Sequence, residues 1–193
     1  MTFKAFVFKN RGLLLSLPAG ALALCGRPSA SSIALGLPLA FAGELIRCWA
    51  VGYSGVTTRN DAVTAPKLVT GGPYAYVRNP LYLGNFLTAA GFAIAFTGKN
   101  SRLARRALVG GSLGAMAAVY ATIVPHEEEF LQSSFGEEFE RYCACVPRVV
   151  PRVVPLANAQ GEWQADAILC AESRTFALFG AMLAALVVRA RRT

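Results

Sequence analysis

The sequence predicts an all-α protein: a transmembrane bundle of about four to five membrane helices. Three observations predict it. Hydrophobic residues make up 54% of the 193 residues and charged residues only 16%, whereas a soluble domain usually carries about a quarter. Mean hydropathy is +0.44. The apolar residues gather into runs, several of them near the roughly 20 residues that a bilayer span requires.

The first run, Leu13 to Cys25, is short, but extends back through Phe8, Phe6 and Phe3, with Lys9 and Arg11 reaching to the interface. No small-x-small cleavage pattern leads into a polar remainder, so the run reads as a membrane helix and not as a signal peptide. Arg27-Pro28-Ser29 breaks the chain. The second run, Ile33 to Tyr53, contains Glu44 and Arg47, which share a helix face at this spacing. Charges within a span are costly and often functional. Gly, Thr, Asn60-Asp61 and Pro66 mark 54–72 as a loop.

Pro80 to Gly98 is the third run, with Pro80 suited to the first helical position. Ala107 to Val124 is the fourth. Pro125 is expected to close it, and Gly110, Gly111 and Gly114 to allow close helix contact. Glu127 to Arg141 has the spacing of a separate amphipathic helix, with Phe130, Leu131, Phe135, Phe139 and Tyr142 near one face. Pro147, Pro151 and Pro155 keep Val146 to Leu156 extended. A polar linker, Asn158 to Ala171, is expected before a short apolar run, Thr175 to Val188. The chain reads as one domain over 1–193, with a motif core at 43–151 and a linker and short helix at 157–193.

The net charge is +8, but the basic residues are scattered between apolar runs and form no nucleic-acid stripe. Loop charge facing anionic lipid accounts for them, and the bilayer is the expected partner. Lys4, Lys9 and Arg11 favour a cytoplasmic N-terminus, whereas Lys99, Arg102, Arg105 and Arg106 oppose it. The five cysteines form no regular framework, and a single histidine, His126, leaves no metal set.

Two polar blocks stand at the ends of neighbouring apolar runs. In the first, Tyr74, Tyr76 and Tyr82 surround Arg78 and Asn79. Arg78 offers a planar fork for a carboxylate, and Asn79 both donates and accepts. Aromatic faces suit a cationic ligand as well as the membrane boundary. In the second block, Glu127-Glu128-Glu129 follow Pro125, and Arg141, Arg148 and Arg152 lie downstream. The acids suit either a solvated face or an ammonium or ribose.

Gly72-Pro73-Tyr74-x-Tyr76-Val77-Arg78-Asn79-Pro80-x-Tyr82-x-Gly84 resembles the first motif of the isoprenylcysteine carboxyl methyltransferase and phospholipid methyltransferase families. Glu127-Glu128-x-x-Leu131, Phe135-Gly136-Glu137-Glu138-Phe139, Tyr142, Val146-Pro147-Arg148 and Pro151 resemble the second. Gly43-Glu44-x-x-Arg47-x-Trp49 looks like the helix that precedes the first motif in bacterial members. The resemblance implies an integral-membrane methyltransferase using S-adenosylmethionine. With a cytoplasmic N-terminus, an even number of crossings puts both polar blocks, and so the cofactor pocket, on the cytoplasmic side. It implies a cofactor site of Tyr74, Tyr76, Val77, Arg78, Asn79, Pro80, Tyr82, Gly84, Glu127 and Glu128. Arg148, Arg141 and Asn79 are then the candidates to organise the reaction and orient a lipophilic acceptor.

That acceptor is an isoprenylcysteine-like carboxylate or thiol, or else a phospholipid amine. Two departures stand out: Asn79 where the commonest family motif has His, and Cys143-Ala144-Cys145 where a basic cluster is frequent. A nicotinamide-dependent membrane reductase and a non-catalytic membrane adaptor are the alternatives from other classes.

Overall fold

The computed structural model describes residues 3–55 and 66–192. Six α-helices follow one another: α1 Phe3–Cys25, α2 Ala30–Ser54, α3 Pro80–Phe96, α4 Arg102–Phe135, α5 Glu137–Cys145 and α6 Asp166–Arg192. No strand occurs among the described residues. By length and composition α2, α4 and α6 can each cross a membrane, and α3 is a shorter apolar helix. The protein is a helical membrane bundle. Much of the region expected to form the 54–72 loop, Asn60-Asp61 included, lies outside the described residues.

Local chemistry sets most of the helix ends. Ser29 caps α2: its hydroxyl accepts from the Ser32 amide at 3.1 Å, and the Ser32 hydroxyl takes the Ser29 amide at 2.9 Å. Pro80 opens α3, where its missing N–H costs nothing. Ser101 caps α4.

Four sequence expectations are corrected. Pro125 does not end α4, which continues to Phe135. The lost backbone bond is outweighed by packing on both sides. Ile123 and Val124 pack with Val7 and Phe8 of α1, and Leu131 and Phe135 with Phe139 and Tyr142. The expected helix Glu127 to Arg141 is instead split at Gly136, whose φ of 52° is left-handed backbone that glycine tolerates best. The expected polar linker is helical from Asp166, so the last helix is far longer than Thr175 to Val188. Asp166 suits the positive helix start, and Ala167, Ala171 and Glu172 form a buried face.

Finally, a Cβ on Gly110, Gly111 or Gly114 would meet nothing within 4 Å among the described residues. The close glycine contact lies between α2 and α3, where Gly36 and Gly43 face Gly91 and Gly84. A Cβ on Gly43 would stand 2.5 Å from the Gly84 carbonyl oxygen, and one on Gly84 would stand 2.7 Å from that of Gly43. Backbones this close bring Arg47 of α2 directly over α3.

Candidate functional site

The first polar block is a turn tied down on both sides. Gly72 has a φ of 58°, and its Cα lies against the Tyr53 ring, so a side chain there would be both strained and obstructed. A short 3-10 turn over Gly72–Ala75 follows, and the chain enters α3 at Pro80. The segment after α5 returns over this turn. The Arg78 amide donates to Pro147 O at 2.9 Å, the Arg152 amide to Tyr76 O at 3.0 Å, and the Leu156 amide to Ala75 O at 2.9 Å. The Tyr142 hydroxyl donates to Tyr74 O at 2.8 Å. Farther along, Gln160 O accepts from the Thr70 and Gly71 amides. Leu68, Phe139, Tyr142 and Val146 form the apolar cluster beneath this strap.

Side chains join the two blocks. The Glu128 carboxylate lies 3.1 Å from Arg78 Nη1. Arg148 Nε donates to Glu128 Oε1 at 3.1 Å, and its Nη2 pairs with Oε2. The bond to Glu128 raises Arg148's affinity for its proton further. Arg78 Nη1 also reaches Cys143 Sγ at 3.0 Å, so the cysteine touches the arginine where a basic cluster is frequent in the resembling families. Burial, first of all, raises the Cys143 thiol, and the nearby Arg78 only partly offsets it. Burial likewise pushes Tyr74 up to about 12. The Tyr82 hydroxyl donates to Glu127 Oε1 at 2.7 Å, and its ring packs on Tyr120 with centroids 4.5 Å apart.

Most of these groups border a cavity of about 660 Å³, within the usual ligand-site range of about 300–1,000 Å³. Tyr74, Arg78, Asn79, Pro80, Tyr82, Glu127 and Glu128 all lie on its wall. Five expected residues do not, Arg148 among them. Tyr76 packs on Trp49 at 6.0 Å between centroids, Val77 is buried, and Gly84 belongs to the glycine contact. Arg141 pairs loosely with Glu137 at 3.9 Å, its side chain 76% exposed. Arg148 reaches the wall through Glu128. Asn79 Nδ2 donates to Arg148 O at 3.2 Å, a contact that ties down the strap.

A second polar cluster stands on the same cavity, of which the sequence showed Glu44 and Arg47 and missed Asn85 and Glu172. Arg47 Nη2 donates to both carboxylate oxygens of Glu172 on α6, at 2.8 and 2.7 Å. Its Nη1 bonds Asn85 Oδ1 of α3, and Glu44 stands 3.9 Å from its Nε. The signal for Glu172 was present: an acid just before an apolar run is costly unless partnered. Leu15, Ala19, Phe92, Met116 and Met182 give the cavity apolar wall as well. Among the described residues no group of three or more metal-ligating side chains occurs.

Residues 31–138, more than half of the chain, match the family model described as phospholipid methyltransferase. The cobalt-zinc-cadmium resistance protein CzcN of Cupriavidus metallidurans is 33% identical over 129 residues, 67% of this chain. Protein-S-isoprenylcysteine O-methyltransferase B of Arabidopsis thaliana is 28% identical over 124 residues, 61% of this chain. The matches span 51% and 58% of those two proteins, little more than half of each. On the family match, in a helical bundle with both motifs on one cavity, the chain belongs to the phospholipid methyltransferase family.

Proposed function

We propose that this protein moves the methyl group of S-adenosylmethionine to a lipophilic acceptor, an isoprenylcysteine-like carboxylate or thiol. The observation that carries the proposal is the Arg78–Glu128–Arg148 cluster, which joins both motifs at the wall of a cavity lined by both polar and apolar side chains. The name of the Arabidopsis relative supports the acceptor class.

The residues present fit the donor. Arg78 Nε is buried with no hydrogen-bond partner among the described residues, a donor available to a carboxylate. Glu127, joined to Tyr82, is the carboxylate for an ammonium group. S-adenosylmethionine, when bound, supplies a methyl group already activated as part of a sulfonium. The protein's work is then positioning and exclusion of water. Arg78 and Glu127 hold the two charged ends of the donor's amino-acid portion. The strap from Val146 to Leu156 covers the turn and keeps water from its backbone. Asn79 holds the strap through Arg148 O and takes no proton. Arg148 orients an anionic acceptor at the rim, while Leu15, Ala19, Phe92 and Met116 receive its apolar part. An oxygen or sulfur anion needs no general base here. A phospholipid amine, the second reading favoured by the family description, must arrive neutral.

Mass spectrometry of lipids and thiols tests this, after membranes containing the protein are fed methyl-labelled S-adenosylmethionine. Label in a lipophilic ester or thioether is the expected result. Label in a phospholipid headgroup supports the second reading, and no label above that of empty membranes contradicts both.

The donor is soluble, so the mouth of the cavity is placed on the cytoplasmic side, near Lys9 and Arg11. Cys145 and Cys25 are exposed at opposite ends of the bundle. In intact cells a membrane-impermeant maleimide should label Cys25 and spare Cys145. The reverse pattern overturns the orientation.

A further inference from the structure

The end of the bundle away from the cavity gathers the close of α1, the start of α2, the close of α3, the start of α4 and the close of α6. They are held together by backbone contacts. The Lys99 amide donates to Arg27 O at 2.7 Å, Asn100 Nδ2 to Cys25 O at 3.0 Å, and Arg189 Nε to Gly26 O at 2.9 Å. Residues 25–35, 97–112 and 183–192 carry eight basic side chains and not one Asp or Glu: Arg27, Lys99, Arg102, Arg105, Arg106, Arg189, Arg191 and Arg192.

The placement of three of these runs against the helix dipole. Arg102, Arg105 and Arg106 crowd the start of α4, where the dipole is positive and cations are disfavoured. Arg105 is explained by its bonds to Thr97 O at 3.0 Å and Gly98 O at 2.6 Å, two carbonyls just after α3. Arg102 and Arg106 are exposed, and this chain places no acid at the α4 start to offset them. A cleft of about 620 Å³ opens here. Arg27, Asn100, Ser101 and Arg189 form its polar wall, and Leu24 and Leu108 its apolar wall. Leu24 is an exposed large apolar side chain. A basic wall meeting an apolar one at the end of membrane helices matches a single kind of occupant: an anion attached to hydrocarbon.

We propose that this cleft is a binding site for an anionic phospholipid, its phosphate between Arg27 and Arg189 and its acyl chains along Leu24 and Leu108. The lipid's negative charge offsets the arginines at the α4 start and joins α1, α4 and α6 at their ends. The site is separate from the cavity that takes the methyl donor, and it stands whether or not the proposed activity does.

Thermal unfolding of the protein in neutral detergent, titrated with phosphatidylglycerol, phosphatidylcholine or inorganic phosphate, tests the site. Phosphatidylglycerol should raise the melting temperature in a saturable way, because it binds the folded state. Phosphatidylcholine and inorganic phosphate should not. Arg27→Gln should weaken the apparent affinity about fivefold, the effect of one basic group near a membrane surface. Arg106→Gln, at an exposed position that leaves the fold alone, should act in the same direction. An equal effect of phosphatidylcholine, or phosphatidylglycerol binding unchanged in both variants, overturns the site. Equal stabilisation by inorganic phosphate assigns the cleft to a soluble anion and overturns the lipid.

Discussion

Arg47 inside the bundle and Arg78 at its rim face the same cavity, each beside a glutamate, yet their surroundings differ. The side chain of Arg47 is 9% exposed and that of Glu172 only 1%. Their charges are matched by a two-oxygen contact and by Asn85, and the contacts join α2, α3 and α6. At the rim Glu128 is shared between two guanidinium groups, and Arg148 is half exposed at 49%. Nε of Arg78 and Nε of Arg47 are both buried with no hydrogen-bond partner among the described residues, so that feature does not separate the clusters. Exposure separates them. The interior pair is placed to hold helices together, and the rim cluster to meet a ligand that arrives from water.

Breaking the interior pair should have the largest effect. Glu172→Leu leaves the Arg47 guanidinium buried with only Glu44, 3.9 Å from its Nε, as counter-charge, and should cost about 3 kcal/mol. The triple variant Glu44→Gln/Arg47→Met/Glu172→Leu removes all three charges and should regain most of that loss, since a well-packed neutral cluster is often no less stable. Denaturation of both variants in detergent measures this, and a triple variant no better than the single one would mean that the cluster does more than satisfy itself. The rim should respond far less: Arg148→Gln should alter stability by about 1 kcal/mol, because Arg148 is half exposed and Glu128 keeps Arg78 as its partner. A large loss there would erase the distinction between the two clusters.

The difference between the clusters also marks what was legible in the sequence. The rim was readable, because Gly72 to Gly84 and Glu127 to Pro151 carry family-like motifs in a fixed order. The resemblance put Tyr74, Arg78, Asn79, Tyr82, Glu127 and Glu128 in one pocket, and all six border the same cavity. Half of the interior cluster was visible, since Glu44 and Arg47 are helical neighbours. Glu172 was not, because 157–171 is polar enough to resemble a linker, and only burial of Ala167 and Ala171 draws it into a helix. Pro125 misled for a related reason. Proline predicts a helix end from the backbone bond it lacks, and its sequence does not display the packing of Ile123 and Leu131 on either side. Glycines carried the same ambiguity. Gly110, Gly111 and Gly114 look like a contact face, as do Gly36, Gly43, Gly84 and Gly91, but among the described residues it is the second set that meets a neighbouring backbone.

The central claim is that the turn before α3 and the strap after α5 build one receptor for S-adenosylmethionine around Glu128. Isothermal titration calorimetry on the purified protein tests it most directly. The wild-type protein should bind S-adenosylmethionine, and Glu128→Gln should weaken binding by about tenfold or more, the scale of a hydrogen bond to a charged group. Asn79→Ala should weaken it less, by loosening the strap. Unchanged affinity in both variants, beside a wild type that binds, would contradict the account.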